Sequence, residues 1–232
     1  MSAAAAYAVC LVAIVLLLFV TIHFLKGFRS DPWVKNVLNP AVRQQGFSQI
    51  EIIEAGLSER LRIIDLSRPN GIIRALFHRE EDGGDLYIGE YHSWGTDDYW
   101  QTVVFCISKQ LKLPRIRIEK IPKLQSSLGV FITKALKKSV GSNLKPVNGL
   151  DPRWENEYAV YFGSGEQEAA RKILEPILER MKTGGHVTLD TDRDLIAVTS
   201  VDIQTDRIRR KLDAGKLSLL VGLLGDSVRM LK

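Results

Sequence analysis

The chain has 232 residues, 45% of them hydrophobic, and its 32 Lys or Arg against 27 Asp or Glu give a net charge of +5. Its two cysteines, Cys10 inside an apolar N-terminal run and Cys106 far downstream, exclude a disulfide-built scaffold. There is no internal repeat and no low-complexity tract, so solenoid and fibrous classes are excluded as well.

Ala3 to Val20 carry no charge, and the Tyr7 hydroxyl is their polar group. Thr21, Ile22, His23, Phe24 and Leu25 extend the run until Lys26 stops it. At about 1.5 Å per residue these 23 residues reach roughly 34 Å, enough for a hydrocarbon core of about 30 Å. Residues 1–25 therefore read as a retained transmembrane anchor. A cleaved signal peptide would need a basic start and a small-residue exit, and the run has neither. Lys26, Arg29, Lys35 and Arg43 follow it and no basic side chain precedes it, which expects the bulk of the chain on the cytoplasmic side of the inner membrane.

Residues 26–57 read as a juxtamembrane linker and lead-in segment, with Asp31-Pro32, Asn39-Pro40 and Gly46 interrupting any long helix. About 205 residues follow the anchor, sufficient for one domain or two small ones, and residues 58–232 are expected to form a cytoplasmic α+β domain. A short helix is predicted over 58–67 with Ser58 as N-cap. The period then drops to two. Gly71–Glu80, Asp85–Trp94, Tyr99–Leu111 and Arg115–Ile121 read as four strands of an antiparallel meander joined by tight turns. In the last of these Ile116 and Ile118 point inward, with Arg115, Arg117 and Glu119 outward. An amphipathic basic helix is predicted over 126–139, followed by a loop or seam between subdomains at 140–153. Further on come a strand at Glu155–Phe162 and a helix near 166–182 that Pro176 should kink or restart. A hairpin, Val187–Thr191 with Leu195–Val201, turns around Asp192-Arg193-Asp194. A long helix closes the chain from about Thr205 to Leu231. The expected whole is an antiparallel sheet of five to seven strands with helices on one face.

The charge is unevenly spread. Between Ile107 and Lys145 there are ten Lys or Arg against one acid, Glu119, so that block carries +9 and the rest of the chain −4. On a membrane-tethered domain such a block points to anionic lipid headgroups, at about 1 kcal/mol per basic group near the surface, or to an acidic membrane-protein partner. The candidate contacts are Arg115, Arg117, Lys134, Lys137 and Lys138. A plain solvated face is the competing reading. Nucleic acid is disfavoured, because the aromatic cluster Tyr87, Tyr91, Trp94, Tyr99 and Trp100 lies outside the block.

No catalytic constellation, cofactor fingerprint or metal-ligand spacing emerges. Gly163-Ser164-Gly165, between strand and helix, lacks the remaining residues of a phosphate-binding loop and is followed by Glu166 and Glu168. His23, His78, His92 and His186 are too scattered for a metal site. Asp190, Asp192 and Asp194 have the alternate spacing with which a calcium loop begins, without its glycine or its closing glutamate. An enzyme of unknown reaction is the alternative, using Glu90, His92 or Asp97 near the aromatic hairpins as acid–base groups.

Some of the wording is familiar. Gly71-Ile72, Thr102-Val103-Val104 and Leu113-Pro114-Arg115 resemble a bacterial family of membrane-anchored proteins with an α+β domain of unknown function. So do Trp154…Tyr158-Ala159-Val160 and Ala169-Ala170-Arg171-Lys172-Ile173-Leu174-Glu175-Pro176. The resemblance implies the architecture and no activity. Together these readings expect a non-enzymatic, single-pass membrane protein acting as a binding or accessory module, without cofactor.

Overall fold

Strands rich in β-branched and aromatic residues dominate the middle of the chain, and in the computed structural model they form one nine-stranded antiparallel sheet. Described are residues 14–17, 32–51, 53, 55–61, 71–81, 84–93, 99–121, 144–183, 185–200, 204–206 and 211–231. They fall into two units, Met1–Pro40 and Ala41–Lys232.

In the first unit, Ile14, Val15, Leu16 and Leu17 are helical and 56–72% exposed. No helix among the described residues is long and apolar enough to cross a membrane, and most of the expected anchor at 1–25 lies outside those residues. No membrane span is thus shown among the described residues. The expected linker is in part helical. Val34–Leu38 forms π-helical turns and Asn39–Arg43 a helix, α1. Pro40 does not interrupt it: the helical run over residues 32–43 passes through it. Gly46, at φ 82°, does end the segment.

The second unit holds the sheet: β1 (Ser48–Ile50), β2 (Gly71–Glu81), β3 (Gly84–Ser93), β4 (Tyr99–Ile107), β5 (Leu113–Lys120), β6 (Leu144–Pro146), β7 (Tyr158–Gly163), β8 (Val187–Arg193) and β9 (Leu195–Ser200). Their order is β1-β2-β3-β4-β9-β8-β5-β7-β6. The expected four-strand meander thus holds for β2, β3 and β4 only. The hairpin β8–β9 inserts between β4 and β5, and three strand spacings, roughly 14 Å, separate strands that the sequence suggested were neighbours. An interior position suits β9, whose six residues Leu195–Ser200 are all buried. On β4 the facing residues Val103 to Cys106 are buried too, and on β8 Val187, Leu189, Asp190 and Thr191 are.

Five helices accompany the sheet among the described residues: α1, α2 (Ala55–Arg60), α3 (Pro152–Glu155), α4 (Gln167–Met181) and α5 (Ala214–Met230). Helices lie on both faces of the sheet, α2 on one and α4 and α5 on the other, against the expectation of one. One cross-strand row, Phe77, Ile88, Val104, Val198, Leu189, Ile118 and Val160, is apolar from β2 to β7 and buried throughout. On this face α5 packs against β4 and β9, and α4 against β5, β7 and α5. On the other face Leu57, in α2, and Leu61 join Ile73, Leu76, Tyr91, Val103, Phe105, Leu195 and Ala197 in an apolar cluster.

That cluster explains why α2 begins before the expected Ser58 cap. Leu57 and Leu61 are one turn apart, and presenting both to the sheet requires helix from Ala55. Residues 62–67 of the expected helix lie outside the described residues. Three other expectations shift for local reasons. Asp151 caps Pro152–Glu155, its Oδ1 accepting from the Arg153 N–H at 2.9 Å, so β7 starts only at Tyr158. α4 runs on through Pro176, which is exposed, so that the Lys172 carbonyl left without its helical donor faces solvent. The closing helix starts at Ala214, where Asp213 Oδ1 accepts from the Lys216 N–H at 3.0 Å. Ahead of it Gln204–Asp206 (β10) and Lys211–Leu212 (β11) pair as a short ribbon. The basic helix expected over 126–139 lies outside the described residues, and the expected loop at 140–153 contributes β6.

Gly84 opens β3 at φ 137°, and a Cβ there would stand 2.6 Å from Ser108 Cβ and 3.0 Å from the Ile107 carbonyl oxygen. Gly84→Ala is expected to cost about 1–3 kcal/mol from backbone strain and overpacking, read as a lowered urea midpoint. An unchanged midpoint would show that β3 and the β4 end do not approach this closely.

Candidate functional site

The alternation seen in β5 sends Arg115, Arg117 and Glu119 to the face opposite α4 and α5. That face is not open water. Arg115 and Arg117 are only 14% and 16% exposed, because the flanking strands β8 and β7 bring Asp190 and Tyr161 into register on either side of Arg117. Arg117 Nη1 lies 3.2 Å from Asp190 Oδ2, and its Nε donates to Glu119 Oε1 at 2.6 Å. Arg115 Nη1 donates to the Thr191 carbonyl at 3.2 Å, and its Nη2 is 3.5 Å from Asp190 Oδ1.

Burial dominates the electrostatics of this network. It pushes the Asp190 carboxyl up to about 6, although Arg117 and Arg115 both pull it down. It also lowers Arg115, against the opposing pull of Asp190. Both partners therefore report the same balance: removing the charges from water costs more than their attraction returns. Tyr161 completes the row, its hydroxyl buried without a hydrogen-bond partner among the described residues and pushed up to about 12, chiefly by burial.

Of the five candidate surface contacts, Arg115 and Arg117 thus sit in a mostly buried ion network. Lys134, Lys137 and Lys138 lie outside the described residues. Glu90 and His92, the acid–base candidates of the enzyme reading, are on the helix-covered face of β3 at 0% and 2% exposure, with Glu90 opposite Thr102. Asp97 lies outside the described residues. His78 pairs opposite Tyr87 and bonds Asp85 Oδ1 through Nε2 at 3.0 Å, while His92 pairs opposite Ile72 at the other end of the ladder. No group of three or more His, Cys, Asp or Glu among the described residues is placed to hold a metal. The aspartate triplet diverges, since Asp190 serves the arginines and Asp194 pairs with Arg60 at 2.5 Å. The Gly163-Ser164-Gly165 turn is filled from within. Glu166 Oε2 accepts from the Arg115 N–H at 2.6 Å, and it would lie 2.7 Å from a Cβ on Gly163.

The feature that sequence reasoning missed lies at the start of β5. Leu111, Leu113 and Pro114 face the first turns of α4 across two adjoining cavities of 360 and 460 Å³, within the range of ligand sites. Lys112, Leu113, Pro114 and Ala169 line both, so the cavities form one trough. It joins residues more than 50 positions apart, and no local pattern announces it.

No protein-family model matches the chain and no curated protein matches it, so the resemblance to a bacterial membrane-anchored family names no family here. The fold does have a likeness among solved structures. It is similar to the crystal structure of the mycobacterial trehalose monomycolate transport factor A, TtfA, with a TM-score of 0.54 at 11% sequence identity, over 87% of this chain and 98% of that one. At that identity the likeness is one of fold.

Proposed function

We propose that this chain is a membrane-tethered, non-enzymatic accessory module whose sheet-and-helix unit works at the cytoplasmic surface of the inner membrane, in the handling or transport of an amphiphile. The observation that carries the reading is the uncharged run from Ala3 to Leu25, followed directly by basic residues and then by a unit of the transport factor's fold. The exposed helical residues 14–17 inside that run agree with it, since four consecutive large apolar side chains are stable in lipid and costly in water. The basic block from Ile107 to Lys145 would hold the unit against anionic headgroups or an acidic partner.

The test is membrane fractionation. The full chain should stay in the membrane pellet after alkaline carbonate, and deletion of residues 1–25 should release it. Ile14→Arg, near the middle of the run, should cost insertion about 3 kcal/mol and shift a measurable share to the soluble fraction. Release of the full chain by carbonate would end the tether reading. Affinity purification of the tagged full chain in mild detergent then asks for one membrane partner at comparable abundance.

A further inference from the structure

We propose that Asn148 is a site of spontaneous modification, where the Gly149 amide nitrogen closes on the Asn148 side chain, expels ammonia and leaves aspartate and isoaspartate. The site lies on the surface of the second unit, between β6 and α3, and stands apart from the tether reading.

Two Asn-Gly pairs occur in the chain, Asn70-Gly71 and Asn148-Gly149. Glycine favours the closure, because with no Cβ beside it the nitrogen is unhindered and its backbone turns readily. As sequence the two pairs are equal, and the fold separates them. Gly71 opens β2 in register with Ser93, so its nitrogen reaches a neighbouring side chain only if the end of that ladder opens. Asn148 and Gly149 are both exposed and belong to no helix or strand. Gly149 is at φ 72°, and a Cβ there would meet nothing within 4 Å. Neither its N–H nor the Asn148 side chain is held by a hydrogen bond among the described residues. The other described asparagines lack this setting. Asn36 precedes Val37 inside the π-helical turns, and Asn39 precedes Pro40, which has no N–H. Asn156 precedes Glu157, whose N–H donates to the Trp154 carbonyl at 3.0 Å.

The Gly149 nitrogen gives up its proton and attacks Asn148 Cγ. The bond from Cγ to the side-chain NH2 breaks, and ammonia leaves with that proton. Water then opens the cyclic imide at either carbonyl. Nothing is oxidised or reduced, and water is the co-reactant. A neutral side chain becomes a carboxylate, which lowers the net charge of +5 by one. Opening at the former backbone carbonyl also inserts a methylene into the main chain. That insertion falls between the Val147 N–H, donated to the Val160 carbonyl at 2.9 Å, and the Asp151 cap.

The test ages the purified full chain in mild detergent, with and without urea, and follows the peptides carrying Asn148 and Asn70 by mass spectrometry. The signal is replacement of NH2 by OH. In the native chain Asn148 should convert about tenfold or more faster than Asn70, since the Gly71 end of β2 must first open. In urea the two rates should converge. Part of the Asn148 product should be isoaspartate, which the ring alone supplies. Asn148→Gln should remove the signal, its ring needing one more carbon, and at an exposed position it should melt with the parent. An Asn148 that stays intact in the native chain overturns the proposal. So does an Asn70 that converts as fast in the native chain, or a product of aspartate alone, the mark of direct hydrolysis.

Discussion

Between about pH 4 and pH 7 the Asp190→Asn variant should gain about 3 kcal/mol of stability relative to the parent. The sign follows from linkage. Burial raises the Asp190 carboxyl from 3.8 to about 6, so over that window the folded chain holds a proton that the unfolded chain has released. The parent therefore loses stability as pH rises through 3.8 and stops losing it above about 6. At 1.36 kcal/mol per pH unit the gap of roughly two units gives the expected figure. Asparagine does not ionise and keeps the shape, so the effect appears in the difference between the two proteins, where all other carboxylates cancel. Urea unfolding of both at the two pH values measures it. A pH-independent difference would mean that Arg117 and Arg115 fully compensate the carboxylate, and the network would then be a source of stability at neutral pH.

Phe105→Ala is expected to remove about 3–5 kcal/mol, the usual cost of emptying a large aromatic from a core. Phe105 is fully buried and stacks on Tyr87 at 5.0 Å between ring centroids, and its ring lies over Gly89, where an added Cβ would meet it at 3.5 Å. Stacking adds about 0.5–1.5 kcal/mol beyond area burial. Since small proteins hold only about 5–15 kcal/mol in all, this one change should shift the urea midpoint strongly. A loss below about 1 kcal/mol would show that the cluster under α2 is not formed.

The two predictions concern one line of the sheet. Ser48, His78, Tyr87, Phe105, Ala197, Asp190, Arg117, Tyr161 and Pro146 are successive neighbours across all nine strands. The row is apolar at Phe105 and Ala197, where Leu57 and Leu61 help to close it, and charged from the next strand on, at Asp190 and Arg117. The change of character has a cause in strand order. Inserting β8–β9 between β4 and β5 places β5, with its alternating Arg115, Arg117 and Glu119, beside the aspartate of β8, and the pair can then be buried.

Much of the local structure was legible. Turn chemistry at Glu81-Asp82-Gly83-Gly84 and at Asp192-Arg193-Asp194 marked both hairpins, because tight turns demand particular residues whatever the surrounding fold. Alternation in β5 correctly assigned Ile116 and Ile118 to one face and Arg115 and Arg117 to the other. What alternation cannot carry is what lies beyond a face. Arg115 and Arg117 looked like surface cations because their partner Asp190 is 73 positions from Arg117, and an isolated strand bears no mark of which strand will flank it.

By itself the sequence determined the antiparallel α+β class, most element positions and the uneven placement of charge, since these follow from side-chain period, turn residues and counting. Only the tertiary structure decided the strand order, the use of both sheet faces, the burial of two arginines and the trough beside Lys112. Each of those depends on contacts between residues distant in the chain. Such contacts are selected by the free energy of packing whole faces together, and no window of neighbouring residues contains it.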